Sequence, residues 1–171
     1  QVLQTWNDTA RDYDLGTGLP ALIAAQARRT PENIAAECAG EALDYATLER
    51  RTSALALALV RRGIGRGDLV GVYVPRSLNM LVSVLGLRKS GAAYVPLDPE
   101  FPQERLGYMA GHADLRYLLV TPVLHPPPEL TEGRSCLVVG ELAAEPADGQ
   151  PPPPVHGVTV RAPIIVLSLG P

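Results

Sequence analysis

The chain has 171 residues, 46 % of them hydrophobic and 19 % charged, with a net charge of −3. That length suits one compact domain or part of one, and the composition is that of an ordinary globular protein. Fourteen arginines and a single lysine, Lys89, are dispersed along the sequence, which excludes the grouped basic field of a nucleic-acid binder.

The opening "QVLQTWNDTARDYDLG" has neither a basic segment nor an apolar core, so it is no export signal, and no apolar run reaches the roughly 18 residues of a membrane span. A cytoplasmic protein without membrane contact is the expectation. Asn7, Asp8, Asp12, Asp14 and Gly16 favour turns, and residues 1–16 read as a linker. A helix follows, with Thr17 or Gly18 as its cap, Pro20 in its first turn, and Leu22, Ile23, Gln26 and Ala27 on a partly apolar face. Thr30-Pro31 stops it. "NIAAECAGEALDY" reads as two short strands joined by a three-residue turn, Ala39-Gly40-Glu41. Asp44 is an N-cap for the next helix, where Leu48, Thr52, Leu55 and Leu59 share a face until Gly63 ends it.

"LVGVYVP" at 69–75 is apolar nearly throughout, as in a strand covered on both faces. Ser77 is expected to cap a helix in which Leu78, Leu81, Val84, Leu85 and Arg88 follow helical spacing up to Gly91, and "AAYVPL" returns as a strand. Strand, helix and strand make a βαβ unit, which requires a parallel pair and a right-handed crossover. The turn "DPEFP" leads into a short helix with Leu106 and Met109, then "RYLLV" at 116–120 forms another strand. The predicted fold class is α/β, a largely parallel sheet of βαβ units flanked by helices. Eleven of the 17 prolines lie from Pro122 onward, and residues 141–157 read as a proline-rich loop. "SCLVVG" and "APIIVLSLGP" are the remaining strand candidates. A buried closing strand with no helix after it would leave a sheet face bare, so the chain is expected to be part of a larger domain.

Most candidate functional residues have a structural explanation. "GIGRGD" at 63–68 follows a helix and precedes a strand, the reverse of a phosphate-binding loop, and reads as a helix stop and turn. Its Arg-Gly-Asp tripeptide, just before a buried strand, is not an adhesion signal. Asp98 and Glu100 sit among prolines as turn residues. His112, His125 and His156 are scattered and read as surface histidines. Cys38 and Cys136 lack the spacing of metal ligands and are expected to be buried free thiols. Lys89 suits a helix C-terminus, where a cation meets the helix dipole favourably.

In order and spacing, "LDYATLERR" from Leu43, "GDLVGVYVPRSLNMLVSVLGLRKSGAAYVPLDPEFPQERLGYM" from Gly67 and "LRYLLVT" ending at Thr121 resemble the amino-terminal part of nonribosomal peptide synthetase adenylation domains. "LDYATL" and "LRKSGAAYVPLD" match the first two core motifs of that family, and "YVPLDP" with Pro102 and Arg105 following is more like peptide synthetases than acyl-CoA synthetases. "WNDTARDYD" from Trp6 is similar to a linker between a condensation and an adenylation domain. The resemblance implies that residues 17–171 are the amino-terminal portion of an adenylation domain, an incomplete N-terminal subdomain of an adenylate-forming enzyme. It also implies ATP and Mg²⁺ in the intact domain, an amino-acid substrate activated as aminoacyl-AMP, and two partners, a condensation domain and a phosphopantetheinylated peptidyl carrier protein. Two departures stand out. Thr47 stands where the family has the glutamate of a capping box. At the end, Ser168 and Gly170 match the first residues of the family's ATP phosphate loop, while Leu169 replaces a serine and the loop's lysine does not follow. The 171-residue fragment alone is therefore expected to be inactive, with no catalytic or metal-binding residue of its own. Two other readings are an adenylation-derived docking scaffold without activity, and a relative of acyl-CoA or fatty-acyl-AMP ligases.

Overall fold

The computed structural model describes residues 18–144. Helix α1 spans Leu19–Arg29, with Gly18 as its extended N-cap and Pro20 in its first turn, and it ends where the Thr30 N–H reaches the Gln26 carbonyl ahead of Pro31. Strands β1 (Ile34–Cys38) and β2 (Glu41–Asp44) form an antiparallel hairpin in which Cys38 pairs with Glu41. Its turn holds two residues, not the expected three. Ala39 and Gly40 both lie in the left-handed region, at φ 51° and 84°. This is the type I′ geometry whose twist matches that of the flanking strands.

Helix α2 (Tyr45–Arg61) starts as its sequence demands, for Asp44 Oδ1 accepts the Thr47 N–H at 2.6 Å. Leu48, Thr52, Leu55 and Leu59 are all buried. The helix ends in a paired closure in which Gly63, at φ 75°, donates to the Val60 carbonyl and Ile64 donates to that of Leu59. Ile64 is itself fully buried, so the closure is anchored in the core.

Next come β3 (Leu69–Tyr73), α3 (Leu78–Ser90), β4 (Ala93–Pro96), α4 (Gln103–His112), β5 (Tyr117–Val120), the one-turn α5 (Pro128–Thr131), β6 (Ser135–Val138) and the one-turn α6 (Val139–Leu142). The four strands β3 to β6 form one parallel sheet in the order β4-β3-β5-β6. As the βαβ pattern requires, β3 and β4 are parallel neighbours, with Leu69 opposite Ala93. Alternation along β3 divides the core. Val70 and Val72 join Leu55, Leu59, Leu85 and Leu119 on the face covered by α2, α3 and α6, while Tyr73 joins Leu118, Leu106 and Leu130 on the face covered by α4 and α5. The result is three layers, the architecture of a covered parallel sheet.

Helix α3 departs from its predicted single face. Val82, Ser83, Gly86 and Lys89 are buried along with Leu78 and Leu85, whereas Leu81, Val84 and Arg88 are half-buried. It lies between the sheet and α2, so most of its circumference is covered. A β-carbon on Gly86 would fall 2.5 Å from a methyl of Leu55, and the missing side chain is what lets α2 and α3 approach. Ser77 sits at the N-cap but does not cap the helix, because its hydroxyl donates to the Pro75 carbonyl at 3.0 Å.

The cysteines are free, as expected, but not buried: Cys38 at the hairpin end is half-buried, and Cys136 on β6 is exposed. His112 and His125 are exposed. Of the expected proline-rich loop, Glu141 and Leu142 belong to α6, and residues 145–157 lie outside the described residues, as do His156, the strand candidate "APIIVLSLGP" and linker 1–16. No helix among the described residues is long and apolar enough to cross a membrane.

Candidate functional site

In an open parallel sheet, ligands bind beyond the carboxyl ends of the strands, where the strand order reverses. Here the chain runs from β3 outward to β4 and then returns past β3 to β5, so the reversal lies between β3 and β5. The crest there is built from residues 74–77 after β3, 97–102 after β4 and 121–127 after β5.

Thr121 is the residue that local structure does not explain. It lies one position beyond the pairs Tyr73–Val120 and Val120–Val138, beside Val74 and Val139. Only 3 % of it is exposed, and its hydroxyl has no hydrogen-bond partner among the described residues. An orphaned buried hydroxyl costs about 1–3 kcal/mol, and such groups concentrate where something other than folding is served. Sequence reasoning passed it by. The available signal was a threonine closing the apolar run "YLLVT" at the end of a central strand.

The other polar groups at the crest are spent on the backbone or exposed. Asp98 accepts the Glu100 N–H at 3.0 Å, and its carbonyl accepts that of Phe101, a turn motif. Glu100 and Arg76 are exposed. The "GIGRGD" loop lies at the opposite, amino-terminal end of β3. There Asp68 accepts the Gly65 N–H at 2.8 Å and faces Arg116 at 3.6 Å, so the aspartate of the Arg-Gly-Asp tripeptide is engaged in a helix-to-strand turn.

Lys89 is also remote from the crest, because α3 runs back from the end of β3 to the start of β4. Its ammonium donates to Glu49 at 2.7 Å and to the Ser53 hydroxyl at 3.0 Å, with its side chain 3 % exposed. Burial pushes its pKa below the ordinary 10.5, while Glu49 pulls the other way. The helix-end position was legible in the sequence. The buried partners on α2 were not.

A triphosphate cradle needs converging backbone amides and a cation beside them. Thr121 and Arg76 do not make one, and the described residues alone do not fit ATP. Nor do they contain a cluster of three or more His, Cys, Asp or Glu side chains placed to hold a metal ion. Ser168 and Gly170 lie outside the described residues.

Comparison with known proteins gives this scaffold its family. Tyrocidine synthase 2 of Brevibacillus parabrevis is 43 % identical over 113 residues, 66 % of this chain and 3 % of that protein. The chain spans only a few per cent of the length of such curated relatives. Among solved structures, the nonribosomal peptide synthetase FmoA3 in its AMPPNP-bound form superposes with a TM-score of 0.76 at 29 % identity, over 89 % of this chain and 16 % of that one. The N-terminal subdomain of Klebsiella oxytoca NpsA, at 24 % identity, shares the fold, with a TM-score of 0.67 over 80 % of this chain and 34 % of its own. A family model described as AMP-binding enzyme matches residues 23–161. Most of the sequence is thus accounted for by one family, and the chain belongs to the AMP-binding enzymes, corresponding to the amino-terminal part of a nonribosomal peptide synthetase adenylation domain.

Proposed function

We propose that the chain is the amino-terminal part of a domain that activates an amino acid within a nonribosomal peptide synthetase. The intact domain would take ATP with Mg²⁺ and an amino acid; the carboxylate attacks the α-phosphate, pyrophosphate leaves, and aminoacyl-AMP forms. The thiol of a carrier protein's phosphopantetheine would then attack the acyl carbon and release AMP. A condensation domain is the natural upstream neighbour, and the cytoplasm the natural compartment. The match of the family across residues 23–161 carries this reading. FmoA3, whose solved forms include one with AMPPNP and one with α-methyl-L-serine-AMP, supports it.

Within that domain the described residues are scaffold. The two-sided core fixes the ends of β3 and β5, and hence the crest on which reactants would be held. Gripping phosphate is assigned to the segment opened by Ser168 and Gly170, since the described crest lacks the convergent donors that stabilise charge in phosphoryl chemistry. The test is ATP–pyrophosphate exchange. The synthetase carrying this segment should show amino-acid-dependent exchange, Gly170→Val should depress it, and the 171-residue chain alone should show none. Absence of exchange with every proteinogenic amino acid in the synthetase would overturn the assignment.

A further inference from the structure

Among the described residues Lys89 is the sole charged side chain buried in the core, and nothing at the crest uses it. Its surroundings suggest a different employment. Around it, α2 and α3 meet through aliphatic and small residues: Leu55, Ala58 and Leu59 against Val82, Leu85 and Gly86. Apolar packing is non-directional, so the close approach of Gly86 to Leu55 fixes where the two helices touch but leaves α3 free to swing about that point. Directional contacts remove that freedom. Lys89 reaches Glu49 and Ser53 from the last turn of α3, and Asn79, in its first turn, accepts from Arg51 at 2.7 Å. The two links leave opposite ends of α3 yet converge on about one turn of α2. Swinging α3 about the Gly86–Leu55 contact would pull Asn79 from Arg51 at one end and Lys89 from Glu49 and Ser53 at the other.

We propose that Lys89 is a positioning residue that fixes α3 on α2 in a single seating. Through α3 it sets both connections of that helix, the crest segment Val74–Ser77 at one end and the Gly91 turn into β4 at the other. Buried ion pairs are weak net stabilisers, and their best-attested use is to specify register. Ser53, which also donates to Glu49 at 3.2 Å, and the second oxygen of Glu49, without a partner among the described residues, complete the cluster.

The experiment compares urea unfolding and amide spectra of the 171-residue protein with those of two variants. Lys89→Met leaves the Glu49 carboxylate uncompensated, and its folding equilibrium constant should fall by about tenfold or more. Replacing both partners, Glu49→Met with Lys89→Met, should restore the denaturant midpoint while the amides of Arg76–Asn79 and Gly91–Ala93 broaden or split as α3 samples more than one seating. A double variant with the midpoint restored and a single wild-type set of resonances overturns the proposal. So does a double variant as unstable as the single one, since the pair would then be an ordinary stabiliser, or a Lys89→Met protein that matches wild type in both measurements.

Discussion

Thr121 shows what a single atom can reveal. Replacing its hydroxyl by a methyl group preserves volume and strand preference but removes a buried oxygen that has no partner among the described residues. Thr121→Val should therefore raise the stability of the 171-residue protein by about 1 kcal/mol, the desolvation cost of an unpaired polar group. Urea unfolding measures this, and a loss of stability would show that the hydroxyl is paired in solution. Gly86 illustrates a constraint of the opposite kind, a side chain that must be absent. An alanine there would gain about 1 kcal/mol of helix propensity, but its β-carbon would lie 3.0 Å or less from three carbons of Leu55, including the β-carbon, which cannot swing away. Overpacking of that sort costs typically 1–3 kcal/mol, so close packing is the larger effect.

Helix α2 carries the clearest pH signature among the elements. Asp44 holds its carboxyl below the ordinary 3.8, chiefly because it accepts the Thr47 N–H, with the Thr47 side chain adding to the effect. A carboxyl whose folded pKa is depressed stabilises the fold above its unfolded pKa, and that contribution disappears as the pH falls through the folded value. Acid should thus fray the start of α2. In thermal melts taken as the pH is lowered through and below 3.8, Asp44→Asn should lose less stability than wild type; equal acid sensitivity would mean the cap does not titrate with folding. Lys89 has a linkage of the same sign in an alkaline window, since stability again rises with pH. Its folded pKa lies below its unfolded one, so its burial is unfavourable at neutral pH and is relieved as alkaline pH approaches 10.5.

Across the whole molecule, protection should follow the layers. Among the described residues, strands β3 and β5 are central in the sheet and covered on both faces, β4 and β6 are its edges, and the β1–β2 hairpin is a separate two-stranded unit. Two strands by themselves are marginal in water. Amides of β3 and β5 should exchange only through global unfolding, those of β4 and β6 faster, and those of the hairpin fastest of the strands. Hairpin amides as slow as those of Val72 and Leu119 would contradict this order. The same layering explains why function is concentrated at one end, because a sheet covered on both faces offers ligands only the crest at its strand ends.

Local rules written in neighbouring residues determined much of this protein from sequence alone. The spacing of Leu48, Thr52, Leu55 and Leu59 marked one buried face of α2, to which the structure adds Ala54, Ala56 and Leu57; Asp44 set its start and Gly63 its end, and the strand-helix-strand pattern from Leu69 to Val95 required the parallel pairing of β3 with β4. The motifs around Tyr45 and Tyr94 pointed to the family. Tertiary structure decided what depends on distant partners. The hairpin turn tightened to two residues because twist and pairing favoured it, and the hydroxyl of Ser77 turned to the Pro75 carbonyl instead of a helical amide. Helix α3 is buried nearly all round because it is sandwiched between the sheet and α2, a circumstance no single-helix periodicity can report. The bond of Lys89 to Ser53 spans 36 residues, and the isolation of the Thr121 hydroxyl depends on which strands close around it. Periodicity describes one element about its own axis; which polar atoms meet or stay alone is decided only when the elements are brought together.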